Sequence, residues 1–317
     1  MAQNHIENPN STAPQEGTRS TGPTVAVIPA YNEERFIGSV VLKARRYVDV
    51  VIVVDDGSGD DTADVAAAAG AVVLRHPENR GKGAALNTGF AEARRLAARA
   101  VVVLDADGQH RTREIPAVLQ PVLEEGADMV VGSRFLSRGR RIPLLRRLGM
   151  QGITLASNAG SGVSVTDSQT GFRAFSAAAL ANLAFHSDGF SVESEMQFLA
   201  KQHGLTVAEV PISASYTDAP KRNVLGQGLE VLNGILNLMG QHRPLLFFGG
   251  GGFVVLLAGL WWGYRVVAIY SATQKLAVGY ALIAVLLCVL GTLSLSTGII
   301  LHSLRGLMLS LLRRKEL

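Results

Sequence analysis

Hydrophobic positions in the first half of the chain fall in short runs, separated by longer stretches rich in alanine. Several of these runs are dominated by β-branched residues. They predict strands at Val25–Ile28, Val50–Val54, Ala71–Leu74, Ala100–Leu104 and Asp128–Gly132. The stretches between them predict helices at about 35–46, 61–69, 83–98 and 113–125. Apolar strands that alternate with helices are typical of a buried parallel sheet, so an α/β fold is expected.

Polar segments follow three of the predicted strands at the points where those strands end. They are Pro29–Glu34, Asp55–Asp61 and Asp105–His110. Ligands of parallel sheets gather at the carboxyl ends of the strands, and we therefore expect a binding site at this edge.

The last quarter of the chain carries two apolar runs without a charged residue, Leu245–Tyr264 and Leu276–Leu301. As helices they would be roughly 30 and 39 Å long, enough to cross the hydrocarbon core of a bilayer. We predict a two-helix transmembrane hairpin over residues 244–317, and this hairpin could also bring copies of the chain together as a homo-oligomer. Two amphipathic patterns come earlier, at 143–157 and 225–239, and the second is expected to lie on the bilayer surface.

Charge and composition place the remaining segments. Residues 1–23 are polar and lack an apolar signal region, so they are expected to be a disordered leader without an export signal. Residues 1–243 carry 24 Lys and Arg against 25 Asp and Glu, which argues against a nucleic-acid partner. Residues 244–317 carry six Lys and Arg against one Glu. Most of these basic residues lie outside the predicted hairpin turn, so the domain at 24–243 and both termini are expected on the cytoplasmic side.

Asp105 and Asp107 are the strongest local signal of chemistry. Residues i and i+2 of an extended segment point the same way, so both carboxylates can face one polar object. Hard oxygen ligands of this kind suit Mg²⁺ or Mn²⁺ shared with a diphosphate, and Gln109 could add a neutral oxygen. The alternative is a solvated turn, since these residue types are common in loops. His110 is interpreted as a loop histidine.

Two further loops could meet a nucleotide. Asp55 and Asp56 end an apolar strand, where a carboxylate could accept hydrogen bonds from a nucleobase. Lys82 lies in a glycine-rich loop before a helix, a place where amides and a lysine can meet phosphate. Their alternative roles are a helix cap and a plain surface loop.

Six arginines and no acidic residue lie between Met129 and Thr166. Such a cluster is usually a solvated face, but beside an amphipathic helix and a predicted membrane hairpin it favours binding to anionic head groups or a phosphate. Lys221 and Arg222, just before the second amphipathic pattern, extend the same argument.

Taken in order, these motifs resemble the inverting family 2 glycosyltransferases. Within that family they resemble the polyprenyl-phosphate sugar synthases of the dolichol-phosphate mannose synthase group. The residues that carry it are VIPAYNEE (27–34), VVDDGSGDDT (53–62), NRGKGAALNTGF (79–90), LDADGQH (104–110), VVGSRF (130–135), DSQTGFRAF (167–175), EVPI (209–212) and RPLLFF (243–248). The resemblance implies a GT-A fold, in which a Rossmann-like nucleotide-binding half joins an acceptor half.

The resemblance also implies roles for individual residues. The nucleotide sugar, linked to UDP or GDP, would be bound by Pro29, Tyr31, Glu33, Val54, Asp56, Lys82, Asp105 and Ala106. Asp107 and Gln109 would hold Mg²⁺ or Mn²⁺, and Asp105, Asp107 and Arg134 would be catalytic. The acceptor phosphate would be bound by Arg134, Arg147, Lys221 and Arg222.

The implied reaction is transfer of the sugar to a dolichyl or undecaprenyl phosphate with inversion at the anomeric carbon. A phosphate monoester is already anionic near neutral pH and needs no general base. A second interpretation is a family 2 transferase with a hydroxyl acceptor, such as diacylglycerol or a lipid-linked glycan, which would need a base such as Glu193 or Glu195. A third is a membrane-anchored nucleotide-sugar sensor without activity.

Overall fold

The computed structural model describes residues 21–137, 144–185, 192–213, 233, 244–275 and 277–315. Its central feature is a seven-stranded mixed sheet with the order β3-β2-β1-β4-β6-β5-β7. The strands are β1 (Thr24–Ala30), β2 (Val50–Asp55), β3 (Val72–Arg75), β4 (Ala100–Val103), β5 (Met129–Ser133), β6 (Arg173–Ser176) and β7 (Val207–Pro211). β6 runs antiparallel to both of its neighbours, β4 and β5, while all other neighbouring pairs are parallel.

Helices cover both faces of the sheet and divide the core in two. They are α1 (Glu34–Ala44), α2 (Thr62–Ala68), α3 (Lys82–Arg95), α4 (Ile115–Glu124), α5 (Leu144–Ser161), α6 (Ala177–Asn182) and α7 (Val192–Gln202), and a 3₁₀ turn at Thr112–Glu114 precedes α4. α1, α2 and α4 pack on one face, and α3, α6 and α7 pack on the other. The α3 face is close-packed, because a Cβ at Gly89 would lie 2.4 Å from a methyl group of Val27 in β1.

The five strands and four helices predicted for the first half of the chain are confirmed, and so is the α/β fold, whereas the sequence pattern did not predict β6 or β7. β6 enters the sheet in the opposite direction and begins with Arg173, whose side chain is completely buried. A buried arginine is rare in a strand, and nothing in the apolar pattern marks this segment. The guanidinium is accommodated because it donates hydrogen bonds to the carbonyls of Thr170 (3.0 Å) and Ser168 (2.7 Å).

Two long apolar helices complete the described chain. α8 (Gly251–Thr273) follows a π-helical turn at Leu245–Gly250, and α9 is Val278–Lys315. The apolar parts of these helices, Leu245–Thr273 and Val278–Leu304, have mean hydropathies of 1.9 and 2.4, and each is long enough to cross a membrane.

α8 and α9 approach each other closely along an antiparallel seam of glycines. A Cβ at Gly252 would lie 2.6 Å from the main-chain nitrogen of Leu295, and one at Gly291 would lie 2.5 Å from that of Leu256. Large apolar side chains on the outside, such as Leu282 and Tyr264, are exposed. The helices therefore form a close-packed hairpin with an apolar outer surface. The predicted amphipathic segment at 225–239 lies outside the described residues, apart from Asn233.

Candidate active site

The site is built at the carboxyl edge of β1, β2 and β4, where three loops meet. Because β1 and β2 are parallel neighbours, the loops that follow them lie side by side and are joined by hydrogen bonds. The main-chain N–H of Asn32 donates to Ser58 Oγ at 2.9 Å, and the N–H of Gly59 returns a bond of the same length to Asn32 Oδ1. Asn32 has a positive φ of 54°, a conformation that asparagine tolerates better than most residues. These bonds hold the loops after β1 and β2 together as one surface, here called the nucleoside wall, on which a nucleoside is predicted to bind.

The residues predicted to contact the nucleoside take different positions on this wall. Pro29 is half-buried near the end of β1, Tyr31 is exposed, and Glu33 is half-buried just before α1. Val54 pairs in register with Pro29, but its side chain is completely buried and packs towards Gly89 of α3. Any contact of Val54 with a ligand would therefore involve its main chain.

Asp56 is buried and fixes the loop that leads into α3. Its Oδ1 accepts hydrogen bonds from His76 Nδ1 (2.6 Å) and the N–H of Arg80 (3.0 Å), and its Oδ2 accepts from the N–H of Gly81 (2.8 Å). Its neighbour Asp55 accepts from the N–H of Ser58 and from Arg75. The structure thus gives both carboxylates a role in shaping the pocket, beside the base contact predicted for them.

Lys82, the first residue of α3, reaches the centre of the site. Its Nζ lies 2.6 Å from Asp105 Oδ1 and 2.6 Å from Glu193 Oε1, so the ammonium joins the two carboxylates. The other oxygen of Asp105 lies 3.0 Å from Nε2 of His110. His110 is therefore part of the site and not only a loop residue, which corrects its sequence-based interpretation. Its ring is buried and packs on Phe172.

These contacts shift the pKa values of the groups in the cluster. Burial alone would raise the pKa of Asp105, but the charge of Lys82 and the hydrogen bond from His110 hold it far below its usual range. Burial would likewise lower the pKa of Lys82, yet the two carboxylates raise it well above its usual value. Asp107 behaves differently, because burial and the negative charge of Asp105 both raise its pKa. A further cation beside Asp107 would relieve this repulsion.

The donor set around Asp107 fits a divalent metal shared with a substrate. Asp107 Oδ1 accepts the N–H of Gln109 at 2.9 Å, which brings the carboxylate and the Gln109 side chain to the same turn. Within the described ranges, no three His, Cys, Asp or Glu side chains come together as a complete metal site. Mg²⁺ often takes only one or two protein carboxylates and fills its shell with phosphate oxygens and water. Asp107 and Gln109 match that pattern, and Ala106 between the two acids is buried.

The segment that leads into β6 forms the floor of the site. A Cβ at Gly171 would lie 2.6 and 2.7 Å from the two carboxylate oxygens of Asp105, so only glycine allows the carboxylate to rest there. Arg173 holds the same segment from below through its bonds to two carbonyls. Burial lowers its pKa to about 10, against the opposing charges of Glu193, Asp167 and Glu209, so it stays charged at neutral pH. The motif that contains both residues, DSQTGFRAF (167–175), was recognised in the sequence. Nothing in that pattern showed that Gly171 would contact Asp105.

Of the basic residues predicted to bind the acceptor phosphate, the structure describes Arg134 and Arg147. Arg134 follows β5 and holds Asp167 with two side-chain hydrogen bonds, from Nε (2.7 Å) and Nη2 (2.8 Å). Asp167 is fully buried, and the Arg134 side chain is 12% exposed. Arg147 lies exposed on α5. Lys221 and Arg222 lie outside the described residues.

Comparison with known proteins places this site in a family. Residues 25–183 match the model of the family named Glycosyl transferase family 2. The chain is 35% identical over 214 residues to the UDP-N-acetylglucosamine–dolichyl-phosphate N-acetylglucosaminyltransferase of Methanococcus voltae, covering 61% of this chain and 85% of that one. It is 32% identical over 208 residues to the polyprenol monophosphomannose synthase of Mycolicibacterium smegmatis, covering 62% and 78%.

Solved structures show the same fold with a metal and a nucleotide. The glucosyl-3-phosphoglycerate synthase of Mycobacterium tuberculosis, in complex with Mn²⁺, UDP and phosphoglyceric acid, superimposes with a TM-score of 0.57 at 25% identity and covers 70% of this chain and 80% of that one. Its complex with Mn²⁺ and UDP-glucose also has a TM-score of 0.57, at 26% identity and the same coverage. The matches in sequence and fold establish that this chain is a GT-A glycosyltransferase that belongs to glycosyl transferase family 2, in the group of polyprenyl-phosphate sugar transferases.

Proposed function

We propose that the protein transfers a sugar from a nucleotide-sugar donor to a polyprenyl phosphate at the cytoplasmic face of a membrane, with inversion at the anomeric carbon. The observation that carries the proposal is the contact between Lys82 and Asp105, two residues before Asp107, at the end of the loops predicted to bind the nucleoside. The same chain also carries two apolar helices that are long enough to cross a membrane. The names of the curated relatives, which include dolichyl and polyprenol phosphate acceptors, support the choice of acceptor.

The donor is proposed to lie along the wall formed by the loops after β1 and β2, with its diphosphate between α3 and Asp107. Mg²⁺ or Mn²⁺, held by Asp107 and Gln109, would neutralise charge on the departing nucleoside diphosphate. Lys82 would share that task from the start of α3. The solved neighbours that hold Mn²⁺ and UDP support this arrangement.

The acceptor phosphate is proposed to approach from the side of Arg134 and Arg147, with Lys221 and Arg222 as further contacts. At pH 7 a phosphate monoester already carries the negative charge that makes it a nucleophile. The chain therefore has to position the phosphate in line with the anomeric carbon and does not have to remove a proton. One displacement would give a β-linked product from an α-linked donor.

The apolar hairpin is proposed to hold the site at the membrane surface, where its lipid substrate is found. Residues 24–243 would form the catalytic domain and residues 244–317 the anchor, with both termini in the cytoplasm. Arg243 and the basic residues after Arg305 would flank the hairpin on that side. Association of two hairpins into a homo-oligomer is part of the same proposal.

A transfer assay with purified protein in lipid vesicles tests this function. Labelled UDP- and GDP-sugars are offered with Mn²⁺ and either a polyprenyl phosphate or diacylglycerol, using the wild type and Asp107→Asn. We expect label in the polyprenyl-phosphate fraction with the wild type alone. Label in diacylglycerol would instead support the hydroxyl-acceptor alternative, and no turnover with any donor would support a sensor.

A further inference from the structure

We infer that Glu193 is a positioning residue that acts through Lys82. It holds the Lys82 ammonium against Asp105, and it does not take a proton from the acceptor. The inference takes its substrates, a nucleotide sugar and a lipid phosphate, from the proposed function. The contact between Lys82 and Glu193 on which it is built involves side chains of this chain alone.

The pair links two distant parts of the sequence at one buried point. Lys82 is the first residue of α3, on the nucleotide side, and Glu193 lies in the first turn of α7, which follows the floor segment and β6 along the chain. They are 111 positions apart, yet Nζ and Oε1 are separated by only 2.6 Å. The Glu193 side chain is 5% exposed and that of Lys82 is 19% exposed. Through this contact α7 sets the position of a cation at the start of α3.

The surroundings of Glu193 are those of a buried counter-charge. Its Oε1 is occupied by Lys82, and its Oε2 is buried with no hydrogen-bond partner among the described residues. Glu193 is also one of three acidic residues whose charge opposes the lowering of the Arg173 pKa by burial. Its carboxylate therefore stands as the direct counter-charge of Lys82. A general base must instead reach the substrate proton directly or through one water.

Lys82 gains orientation from being held on two sides. A lysine ammonium has three N–H donors, and two of them point at Asp105 and Glu193, which leaves the third for an oxygen of the donor diphosphate. Lysine is otherwise a flexible side chain that loses considerable rotamer freedom when it binds a ligand. Glu193 therefore fixes Lys82 before the donor arrives, and it fixes Asp105 through Lys82.

A double-mutant cycle between Lys82 and Glu193 tests the inference. We expect Glu193→Gln to lower kcat by about 10- to 50-fold and to raise the donor KM, and Lys82→Met to lower kcat by about 100-fold. The double variant should be no worse than Lys82→Met alone, because Glu193 has nothing left to hold. Glu193→Asp, which keeps the charge, should recover part of the loss. If the two losses multiply, Glu193 does not work through Lys82 and the inference fails.

The pH profile separates positioning from base catalysis. With a positioning role, the dependence of kcat on pH keeps its shape in Glu193→Gln, at a lower level. If the fall in rate towards acid pH disappears in this variant, Glu193 is the base and the inference is wrong. Glu195→Gln is the matched control on α7, because Glu195 is equally buried. The loss of rate in Glu195→Gln should multiply with that in Lys82→Met, as for two independent sites. If Glu195 is coupled to Lys82 as strongly as Glu193 is, the specific assignment of Glu193 to Lys82 is wrong.

A binding measurement separates this inference from the proposed acceptor. Titration of UDP and of GDP with Mn²⁺ is repeated on all four members of the cycle, without lipid acceptor. Coupling in nucleotide binding alongside absent transfer to polyprenyl phosphate would retain the inference and reject the acceptor. Additive effects on nucleotide binding and turnover would reject the inference even if transfer occurs. Thermal melting of each variant confirms folding, and Lys82→Arg replaces Lys82→Met if the latter does not fold.

Discussion

Replacing Gly171 with alanine tests whether the position of Asp105 controls the reaction. The new Cβ would lie 2.6 Å from Asp105 Oδ2, whereas ordinary contacts begin near 3.4 Å, so the carboxylate must move by about 0.8 Å. Asp105 is held at 2.6 Å by Lys82 and at 3.0 Å by His110, and both contacts would lengthen. A charge-assisted hydrogen bond contributes about 1.5–3 kcal/mol to stability, and a displacement near 1 Å costs roughly 100-fold in rate.

We therefore expect Gly171→Ala to lower kcat by about 100-fold and the free energy of unfolding by about 1.5–3 kcal/mol. A sugar-transfer assay measures the change in kcat, and thermal melting measures the change in stability, both on protein purified in one detergent. Gly152→Ala is the control, because Gly152 lies on α5 with nothing within 4 Å of its added Cβ. It should gain about 0.5–1 kcal/mol of stability and keep its activity. If Gly171→Ala retains more than half of the wild-type rate, Asp105 does not need the position seen here.

Three further predictions concern the metal, the arginine pair and the topology. Asp107→Asn should abolish transfer yet raise the melting temperature at pH 7 without metal, because the raised pKa of Asp107 means that its ionised form costs stability. That gain should shrink as the pH falls and the wild-type carboxyl takes up its proton, and saturating Mn²⁺ should stabilise only the wild type. A melting temperature of Asp107→Asn below that of the wild type without metal would contradict the repulsion between Asp107 and Asp105. Arg134→Ala should lower the free energy of unfolding by about 3–5 kcal/mol, because Asp167 is left buried without its guanidinium, and Arg134→Ala/Asp167→Ala should recover part of this loss. In a Cys288→Ala background, a cysteine at Ser271 should react with impermeant reagent outside intact cells and one at Ser310 should not, and labelling of both would contradict a cytoplasmic active site.

The fold of the nucleotide half could be predicted because its signals are local. Buried parallel strands such as Val50–Asp55 are continuous apolar runs, and the polar loops follow them directly. β6 could not be predicted in this way, because its defining residue, Arg173, is a buried charge that is stabilised by carbonyl groups of its own loop. Local pattern carries no information about a partner that only the folded chain supplies.

The same limit applies to the site. The sequence pointed to Asp105, Asp107 and Lys82, since their spacing and glycine-rich surroundings are visible in it. It did not show that Lys82 would bind Glu193 across 111 positions, or that His110 would bind Asp105. Arg134 was predicted to hold an acceptor phosphate, and the structure adds a buried partner, Asp167, that pattern alone could not reveal.

The lipid product tests the central claim most directly. Purified protein is incubated in vesicles with Mn²⁺, the donor that turns over, and equal amounts of a polyprenyl phosphate and the corresponding free polyprenol. The lipids are then identified by mass spectrometry and the anomeric linkage by NMR. We expect one product, a polyprenyl phosphate extended by a single β-linked sugar through a phosphodiester, formed by the wild type and absent with Asp107→Asn. A sugar attached to the free polyprenol, or an α-linked phosphodiester, would contradict the proposed acceptor chemistry.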